Sequence, residues 1–410
     1  MSRRRWLIAG TLCLSTILNY INRQTFSMLA PELAKTFHFS HADLSSIFGA
    51  FQLSYALTWL VGGFALDLTG TRTGLALAVV WWSVVGMVTS LAHSVASFAT
   101  LRFLLGIGEG VNWPGASKAV AEWFPPQERG IAVAIFDSGS SIGGALAAVS
   151  IPWITMRFGW RYAFLISGML GFAWLALWLV VYPKRALIAE TTRRSTVPEQ
   201  MAMLWQLLQQ RKTWGVVIGR SLTDPVWWFF VFWLPQYLSD ARGFSLKQIA
   251  MFAWIPFVAA DIGNFVGGGV SGWLIRRRVP VLKARTLVCV YSCVPMLAGI
   301  PAATVTTPAL ALALICVALL GYASWSTMGL TFPSDLFPPE VVATVTGLSG
   351  FGAGIVSTVF TVLIGHIVDR FSYLPAFIAA GTLPIAATLA ILLLFRNSGK
   401  EVQTCSVDIL

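Results

Sequence analysis

Long apolar stretches separated by short polar breaks run along the whole of this 410-residue chain. A helix needs about 20 residues to cross a hydrocarbon core about 30 Å thick. Each apolar run between charged or Pro/Gly breaks therefore predicts one membrane-spanning helix, and isolated Pro and Gly are tolerated inside it. Twelve spans result, with approximate limits 6–30, 44–66, 73–91, 95–117, 130–155, 161–182, 213–238, 247–275, 285–303, 308–332, 341–368 and 373–395. The pattern predicts an all-α integral membrane protein.

Composition and charge agree with a membrane location. Hydrophobic residues make up 56% of the chain and charged residues 11%, whereas a soluble domain carries about a quarter charged residues. The net charge is +11, but nineteen basic residues fall on the side that holds both termini and six on the other side. This bias predicts cytoplasmic termini. The basic residues then act as topology anchors, and we expect no nucleic-acid partner.

The two parts of the chain resemble each other at a shift of 213 residues. The shift aligns Phe-Pro-Pro at 124–126 with 337–339, Arg-Phe at 157–158 with 370–371, and Ala-Phe at 163–164 with 376–377. It predicts two six-helix parallel pseudo-repeats, residues 1–183 and 213–396, joined by a cytoplasmic linker at 184–212 and followed by a tail at 397–410. Twin six-helix halves are typical of one large class of secondary transporters.

Ionisable residues inside the spans are functional candidates, because each costs about 2.5–3.5 kcal/mol at a helix centre on insertion scales. An arginine fork binds a carboxylate bidentately and keeps its proton, so Arg23 and Arg102 are predicted to hold an organic anion. The alternative is that each pairs with a local acid. Glu109 lies seven residues after Arg102, on the same helix face about 10 Å away. It is the predicted proton carrier, the alternative being a permanent structural pair with Arg102.

Several motifs resemble a known transporter family. Gly63-x-x-x-Asp67-x-x-Gly70-x-Arg72, between spans two and three, is similar to the loop signature of the major facilitator superfamily. Four segments resemble signatures of the anion:cation symporter branch of that superfamily. They are 19–23 (Asn-Tyr-Ile-Asn-Arg), 106–110 (Gly-Ile-Gly-Glu-Gly), 122–125 (Glu-Trp-Phe-Pro) and 136–143 (Phe-Asp-Ser-Gly-Ser-Ser-Ile-Gly). Within that branch the chain looks most like bacterial hexuronate and other sugar-acid transporters.

The resemblance implies the major facilitator fold and proton-coupled symport of a small sugar acid. The substrate would be a hexuronate such as galacturonate or glucuronate, or an aldonate, carried by a monomer in the lipid of a bacterial inner membrane. Neither a cofactor nor a metal is expected. Gating or structural roles fall to Gly63, Asp67, Arg72 and Asn22, and substrate contacts to Arg23, Arg102, Tyr20, Gln52, Tyr55, Trp227, Trp325 and Ser326. The tryptophans have an alternative role in interfacial aromatic belts.

Two positions depart from the pattern of the branch. Asn22 replaces a carboxylate and cannot titrate, while Asp137 lies where the span-five signature has Asn. One hypothesis is that the second coupling carboxylate has moved from span one to span five, so that Glu109 and Asp137 carry the protons. Two alternatives stay open: Asn22 is a deliberate substitution that disables coupling, or the carrier uses fewer protons.

Other functions fit the same residues less closely. Two buried arginines would also suit a transporter or exchanger of an aromatic or dicarboxylic acid. A non-transporting anion sensor is disfavoured, because sensing needs neither the repeat nor a coupling carboxylate. Gly139-x-Ser-x-Gly143 matches a nucleophile elbow, but that motif requires a strand-to-helix turn and here it lies in an apolar helix. We therefore predict no enzymatic activity.

Overall fold

A computed structural model describes residues 2–124, 126–183, 204–337 and 339–395, and those residues form helices and turns without strands. In the first half the helices are α1 Ser2–Phe37, α2 His41–Thr69, α3 Thr71–Val88, α4 Val95–Glu109, α5 Asn112–Trp123, α6 Pro126–Phe158 and α7 Trp160–Val181. In the second half they are α8 Arg211–Asp240, α9 Leu246–Phe252, α10 Ile255–Arg276, α11 Val281–Met296, α12 Gly299–Ala302, α13 Pro308–Leu336, α14 Pro339–Arg370 and α15 Leu374–Leu394.

Local sequence signals set several helix boundaries. Ser40, Ser94 and Ser245 each accept a hydrogen bond from the backbone three residues later and form a capping box at the starts of α2, α4 and α9. These boxes satisfy backbone N–H groups that a helix start leaves free. Gly70 separates α2 from α3 with a φ of 77°, a conformation that costs glycine little and other residues more. The glycine of the loop motif is therefore required by the turn.

Span four is two helices rather than the single helix that the sequence predicts. Glu109 ends α4, and α5 begins at Asn112 after a turn at Gly110. Pro114 falls in the first turn of α5, where its missing N–H has no helical partner to lose. Asn112 is buried and ties α5 to α1, because it accepts from Ser15 at 2.6 Å and donates to Thr16 at 3.2 Å. The break fixes Glu109 at a helix end beside α1.

Among the described residues, eight helical segments are long and apolar enough to cross a membrane. They lie on α3, α6, α7, α9–α10, α11–α12, α13, α14 and α15. Predicted spans one, two, four and seven, on α1, α2, α4–α5 and α8, are not among the eight. Spans one, four and seven carry buried charged side chains, including Arg23, Arg102 and Asp224. The buried arginines Arg23 and Arg102 thus lie on helices outside the eight.

The chain divides into two compact units by contact. The first takes the described residues of Met1–Ala189 with Trp228–Val258 and Thr358–Tyr373, and the second takes those of Glu190–Trp227, Ala259–Ser357 and Leu374–Leu410. In the first unit, α1 and α6 approach so closely that a Cβ added at Gly143 would lie 2.5 Å from the Ile17 carbonyl oxygen. Gly143 of span five therefore packs directly against the backbone of span one.

The second unit has a hydrophobic core that includes Met328, Phe332 and Ile391. A glycine contact of the first unit has a counterpart here. In the first unit Gly139 packs against Cys13 of α1. Gly352 of α14, which lies 213 residues after Gly139, packs against Val217 of α8. Equivalent positions of the repeat thus take equivalent packing roles. The boundaries predicted for the two halves, the linker and the tail stay predictions, and 184–203 and 396–410 lie outside the described residues.

Candidate functional site

Arg23 and Glu109 form a buried ion pair in the first unit. Arg23 Nε donates to Glu109 Oε2 at 3.1 Å, and the two side chains are 1% and 0% exposed. Asn19, one helical turn before Arg23 on α1, accepts from Arg23 Nη2 at 2.9 Å. Glu109 is the last residue of α4, where the carbonyl end of the helix disfavours a negative charge. A cation from a neighbouring helix offsets that disadvantage, and Arg23 supplies it.

Aromatic rings surround the Arg23 guanidinium. Its central carbon lies 4.5 Å from the Tyr55 ring centroid, 4.6 Å from that of Tyr20, 5.2 Å from that of Phe51 and 5.5 Å from that of Trp228. Cation–π contacts at such distances contribute about 0.5–2 kcal/mol each, more where water is excluded. Tyr20 and Tyr55, both predicted site residues, therefore border the ion pair. Phe51 was not predicted.

Arg102 is equally buried but less completely bonded. Its Nη1 donates to the backbone oxygen of Arg23 at 3.1 Å, and its guanidinium carbon lies 4.5 Å from the Phe51 ring centroid. Nε and Nη2 are buried without a hydrogen-bond partner among the described residues. A buried charged donor left unpaired is costly. Two adjacent free N–H groups match the two oxygens of a carboxylate.

Further polar atoms are unpartnered in the same unit. Gln52 is 1% exposed, and neither its amide nitrogen nor its amide oxygen has a partner within the described parts of the chain. It neighbours Phe51, whose ring contacts both arginines. The second oxygen of Glu109 is also unpartnered. An amide offers both a donor and acceptors, which is what a sugar hydroxyl needs.

Of the two positions that depart from the branch pattern, Asn22 directly precedes Arg23 but faces α3, and Asp137 lies on α6. Asn22 packs against α3, where a Cβ at Gly86 would lie 2.7 Å from the Asn22 amide oxygen. Asp137 is half-buried on α6, two residues before Gly139, which packs against Cys13. Ten residues of α1 separate Cys13 from Arg23, about 15 Å of helix. The structure does not bring Asp137 beside the Arg23–Glu109 pair, and its coupling role stays a prediction.

The predicted aromatic contacts of the second half belong to the second unit. Trp227 stacks on Tyr322, with centroids 5.8 Å apart and planes 12° apart. Trp325 is fully buried, and its indole N–H donates to Thr388 at 2.9 Å. Ser326 is half-buried. Trp325 thus has a packing role in this structure, and the substrate contacts of Trp227, Trp325 and Ser326 stay predictions.

Arg72 of the loop motif caps the C-terminal end of α7. Its Nε donates to the Tyr182 carbonyl oxygen and its Nη2 to that of Leu179, both at 2.8 Å. These carbonyls are at the C-terminal end of α7, where a cation is favourable. Gly63 and Asp67 lie in the last turns of α2. The Arg72 hydrogen bonds therefore hold α3 against the end of α7, and the roles of Gly63 and Asp67 stay predictions.

Some contacts could not be foreseen from spacing. His41, at the start of α2, contacts Asp240 and Asp369, which lie 199 and 328 residues further along the chain. The sequence shows only histidines near span ends, without metal-ligand spacing. Within the described residues, no group of three His, Cys, Asp or Glu side chains is arranged to hold a metal ion.

Comparisons with known proteins agree with this architecture. The family model described as Major Facilitator Superfamily matches residues 12–361. The hexuronate transporter of Escherichia coli strain K12 is 32% identical over 96% of this chain and 94% of its own length, and the galacturonate transporter of Dickeya chrysanthemi is 34% identical over 77% and 96%. The crystal structure of a bacterial homologue of the human lysosomal transporter Spinster, inward-facing and unoccupied, superposes with a TM-score of 0.72, 18% identity and 98% coverage of both chains.

The fold and the buried charged site define a multi-pass membrane transporter. The chain belongs to the major facilitator superfamily. The prediction of an all-α membrane protein with twelve spans in two six-helix repeats is confirmed. The family and these relatives are transporters rather than enzymes.

Proposed function

We propose that this protein is a proton-coupled symporter of a small sugar acid, a hexuronate such as galacturonate or glucuronate or an aldonate, which works by alternating access. Two sets of unpartnered buried atoms carry the proposal: the Arg102 N–H groups, and the amide atoms of Gln52, which is next in sequence to Phe51, the ring that Arg102 contacts. A carboxylate fits the first pair and a hydroxyl fits the second. Relatives named hexuronate and galacturonate transporters support the same substrate class.

Proton coupling follows from competition for Arg23. When Glu109 is ionised, its carboxylate takes the Arg23 Nε donor at 3.1 Å. When Glu109 is protonated, that donor is free to give a further hydrogen bond to a sugar acid whose carboxylate Arg102 binds. By linkage, a substrate that occupies Arg23 favours the protonated form of Glu109 to the same degree. Substrate and proton would therefore bind together and cross together.

Reconstituted protein tests both parts of the proposal. Proteoliposomes should take up labelled galacturonate and glucuronate faster when the inside is alkaline than at equal pH. Unlabelled aldonates, benzoate and succinate serve as competitors that rank the substrate class. Uptake that ignores the pH gradient indicates exchange, and binding without uptake indicates a sensor. Strong competition by benzoate or succinate alone would identify the substrate as an aromatic or dicarboxylic acid and not a sugar acid.

We also propose that the protein is a monomer in a bacterial inner membrane with both termini in the cytoplasm. The support for the orientation of the termini is the nineteen-to-six distribution of basic residues, because this bias sets the orientation of membrane spans. Fusing a reporter that is active only in the cytoplasm to the C-terminus and, separately, to the loop after α1 tests the orientation. Activity is expected from the C-terminal fusion alone.

A further inference from the structure

A second charged cluster lies at the start of α2. The His41 ring lies between two carboxylates: Nδ1 is 2.7 Å from Asp369 Oδ1 and Nε2 is 2.8 Å from Asp240 Oδ2. The three side chains are 27%, 31% and 30% exposed. Asp240 ends α8 and Asp369 lies in the last turn of α14, and all three residues belong to the first unit. We call these residues the His41 cluster.

Both carboxylates of the His41 cluster are held by other donors. Asp369 accepts the backbone N–H of His41 at 3.1 Å and that of Ala42 at 2.8 Å, which are free N–H groups at a helix start. Asp240 accepts from the Tyr373 hydroxyl at 3.0 Å and from Gln236 at 2.9 Å. With both carboxylates acting as acceptors, each His41 nitrogen has to donate. Only the protonated imidazole has an N–H on both nitrogens.

Other ionisable groups near the cluster are engaged elsewhere. Asp43 on α2 accepts from Ser40, and Arg242 donates to the Tyr237 hydroxyl at 2.6 Å. His366 on α14 contacts the Val362 carbonyl oxygen at 3.0 Å. The Tyr373 ring meets His41 edge-on at 6.0 Å. His41 is thus the cation placed between the two carboxylates.

The cluster closes over an aromatic layer. Trp233 stacks on the His41 ring at 6.2 Å. About two turns after His41 on α2, Phe48 stacks on Phe232 of α8 at 4.8 Å with planes 3° apart. Gly49 and Gly365 bring α2 and α14 into close contact. These contacts join the first sequence half to the second at the end predicted to face away from the cytoplasm. An alternating-access carrier makes and breaks contacts of this kind in each cycle.

We propose that the His41 cluster is a proton-binding latch: a proton on His41 holds this end of the carrier closed, and loss of that proton releases α2 from α8 and α14. The ligand of the site is a proton from the outer medium. The latch is distinct from Glu109, which would couple the proton to the substrate. It depends on the carrier fold and on no particular substrate.

The electrostatics of the cluster give the direction of the pH effect. Burial by itself lowers the pKa of His41, but the hydrogen bonds and charges of Asp240 and Asp369 outweigh it and raise that pKa above its ordinary value. Burial by itself raises the pKa of each aspartate, and in each case the hydrogen bonds, including those from His41, outweigh it and lower that pKa.

The closed state is therefore stabilised fully below the ordinary His pKa of about 6.5, and this stabilisation is lost as the pH rises through the raised value. The aspartates contribute above their ordinary pKa of about 3.9 and stop contributing as the pH falls through their lowered values. Closure is thus strongest between about pH 4 and about pH 6.5. An acidic outer medium would close the latch.

Cysteine labelling measures the latch directly. Ser45 is buried on α2 one turn after His41 and faces Gly365 of α14. In a full-length chain whose five cysteines are replaced, Ser45→Cys should react with a membrane-impermeant thiol reagent only when this end opens. The labelling rate of Ser45→Cys is divided by that of Ala241→Cys, a variant at an exposed site. This ratio should rise at least about threefold between about pH 5.5 and about pH 8.

Matched variants identify the source of that pH step. H41Q should abolish the step and leave the site labelled quickly at both pH values, and D240N and D369N should reduce it. D43N removes a carboxylate from the same helix start and should keep the step, because Asp43 contacts Ser40 rather than His41. A step that survives in H41Q overturns the proposal.

A second measurement covers the case in which H41Q does not fold. Imidazole NMR of the unmodified transporter in nanodiscs should give one of its four histidines a pKa above the ordinary value, and D240N should lower that pKa. Four ordinary or lowered histidine pKa values would overturn the proposal without any variant at position 41.

Discussion

At the residue scale, Arg102 is the side chain whose replacement gives the clearest prediction. R102K keeps the charge but removes the fork whose Nε and Nη2 are free. Hydrogen bonds to charged groups contribute about 1.5–3 kcal/mol, so we expect galacturonate affinity to fall at least about tenfold. Isothermal titration with galacturonate measures the change. R157K, at an exposed position on α6, is the control and should bind galacturonate as the parent does. Equal affinities for R102K and R157K would show that Arg102 does not bind the substrate.

Glu109 gives the second prediction at this scale. E109Q keeps the shape and cannot be ionised, so Arg23 loses its charged partner at 3.1 Å. We expect uptake driven by a pH gradient to be lost while exchange of labelled for unlabelled substrate at equal pH persists. E122Q is the control: Glu122 accepts from Thr71 at 2.8 Å, outside the Arg23 pair, so it should retain gradient-driven uptake. Gradient-driven uptake by E109Q would place the coupling proton elsewhere.

Asp137 supplies the third prediction, and it separates one coupling carboxylate from two. Asp137 is on α6, two residues before Gly139, whose contact Cys13 is about 15 Å along α1 from Arg23. Any proton that Asp137 carries is therefore expected to bind independently of Glu109. If the second carboxylate has moved to span five, D137N abolishes gradient-driven uptake and spares exchange. Proton flux per galacturonate, measured with a pH dye, should then differ between the parent and D137N. Unchanged uptake would leave Glu109 as the coupling carboxylate.

Sequence reasoning reached these residues but not their pairing. A buried charge is visible in an apolar run, and so Arg23, Arg102 and Glu109 are all found from the sequence. The spacing of seven residues suggested an Arg102–Glu109 pair, whereas Glu109 pairs with Arg23, 86 residues away. That choice depends on how α1 approaches α4, which no local pattern records. The His41 cluster was missed for the same reason.

At the element scale, the close approach of α1 and α6 gives the fourth prediction. A Cβ at Gly143 would lie 2.5 Å from the Ile17 backbone oxygen, and backbone cannot move aside cheaply. Overpacking of this kind costs about 1–3 kcal/mol, so G143A should lower the melting temperature in detergent. Gly10 on α1 has open space around its Cβ position, and G10A should melt as the parent does. Equal melting of the two variants would mean that α1 and α6 are not in close contact.

The elements themselves were largely predictable, and their interruptions less so. Twelve apolar runs predict the spans, because period and length are properties of the chain alone. The break between α4 and α5 was not predicted, since glycine and proline inside an apolar run are compatible with a continuous membrane helix. The bonds of Asn112 to Ser15 and Thr16 favour the break, and they depend on tertiary packing. Local sequence therefore gave the helices, while packing decided where span four divides.

At the scale of the whole molecule, the repeat gives the fifth prediction. Arg285 lies 213 residues after Arg72, and Asp335 the same distance after Glu122. Arg285 donates to Asp335 at 3.1 Å and to Ser271 at 2.8 Å, within the second unit. R72A and R285A should each destabilise the fold by about 1–3 kcal/mol.

The partners described for the two arginines have no residue in common, so the double variant should be additive within about 0.5 kcal/mol. Chemical unfolding of the two single variants and the double variant measures this. The exposed R277A, whose parent side chain stacks on Trp273 at 4.4 Å, is the control and should unfold as the parent does. Strong non-additivity would mean that the two repeats unfold as one cooperative block through these arginines.

The free N–H groups of Arg102 have a practical consequence for handling the transporter. A buried donor without a partner costs about 1–3 kcal/mol, so the empty carrier is held below its attainable stability. A ligand at one hundred times its Kd adds about 2.7 kcal/mol to the filled state. Extraction and storage in the correct sugar acid should therefore lengthen the lifetime of the protein in detergent. Melting temperatures across a panel of acids would then rank the physiological cargo before any flux assay is built.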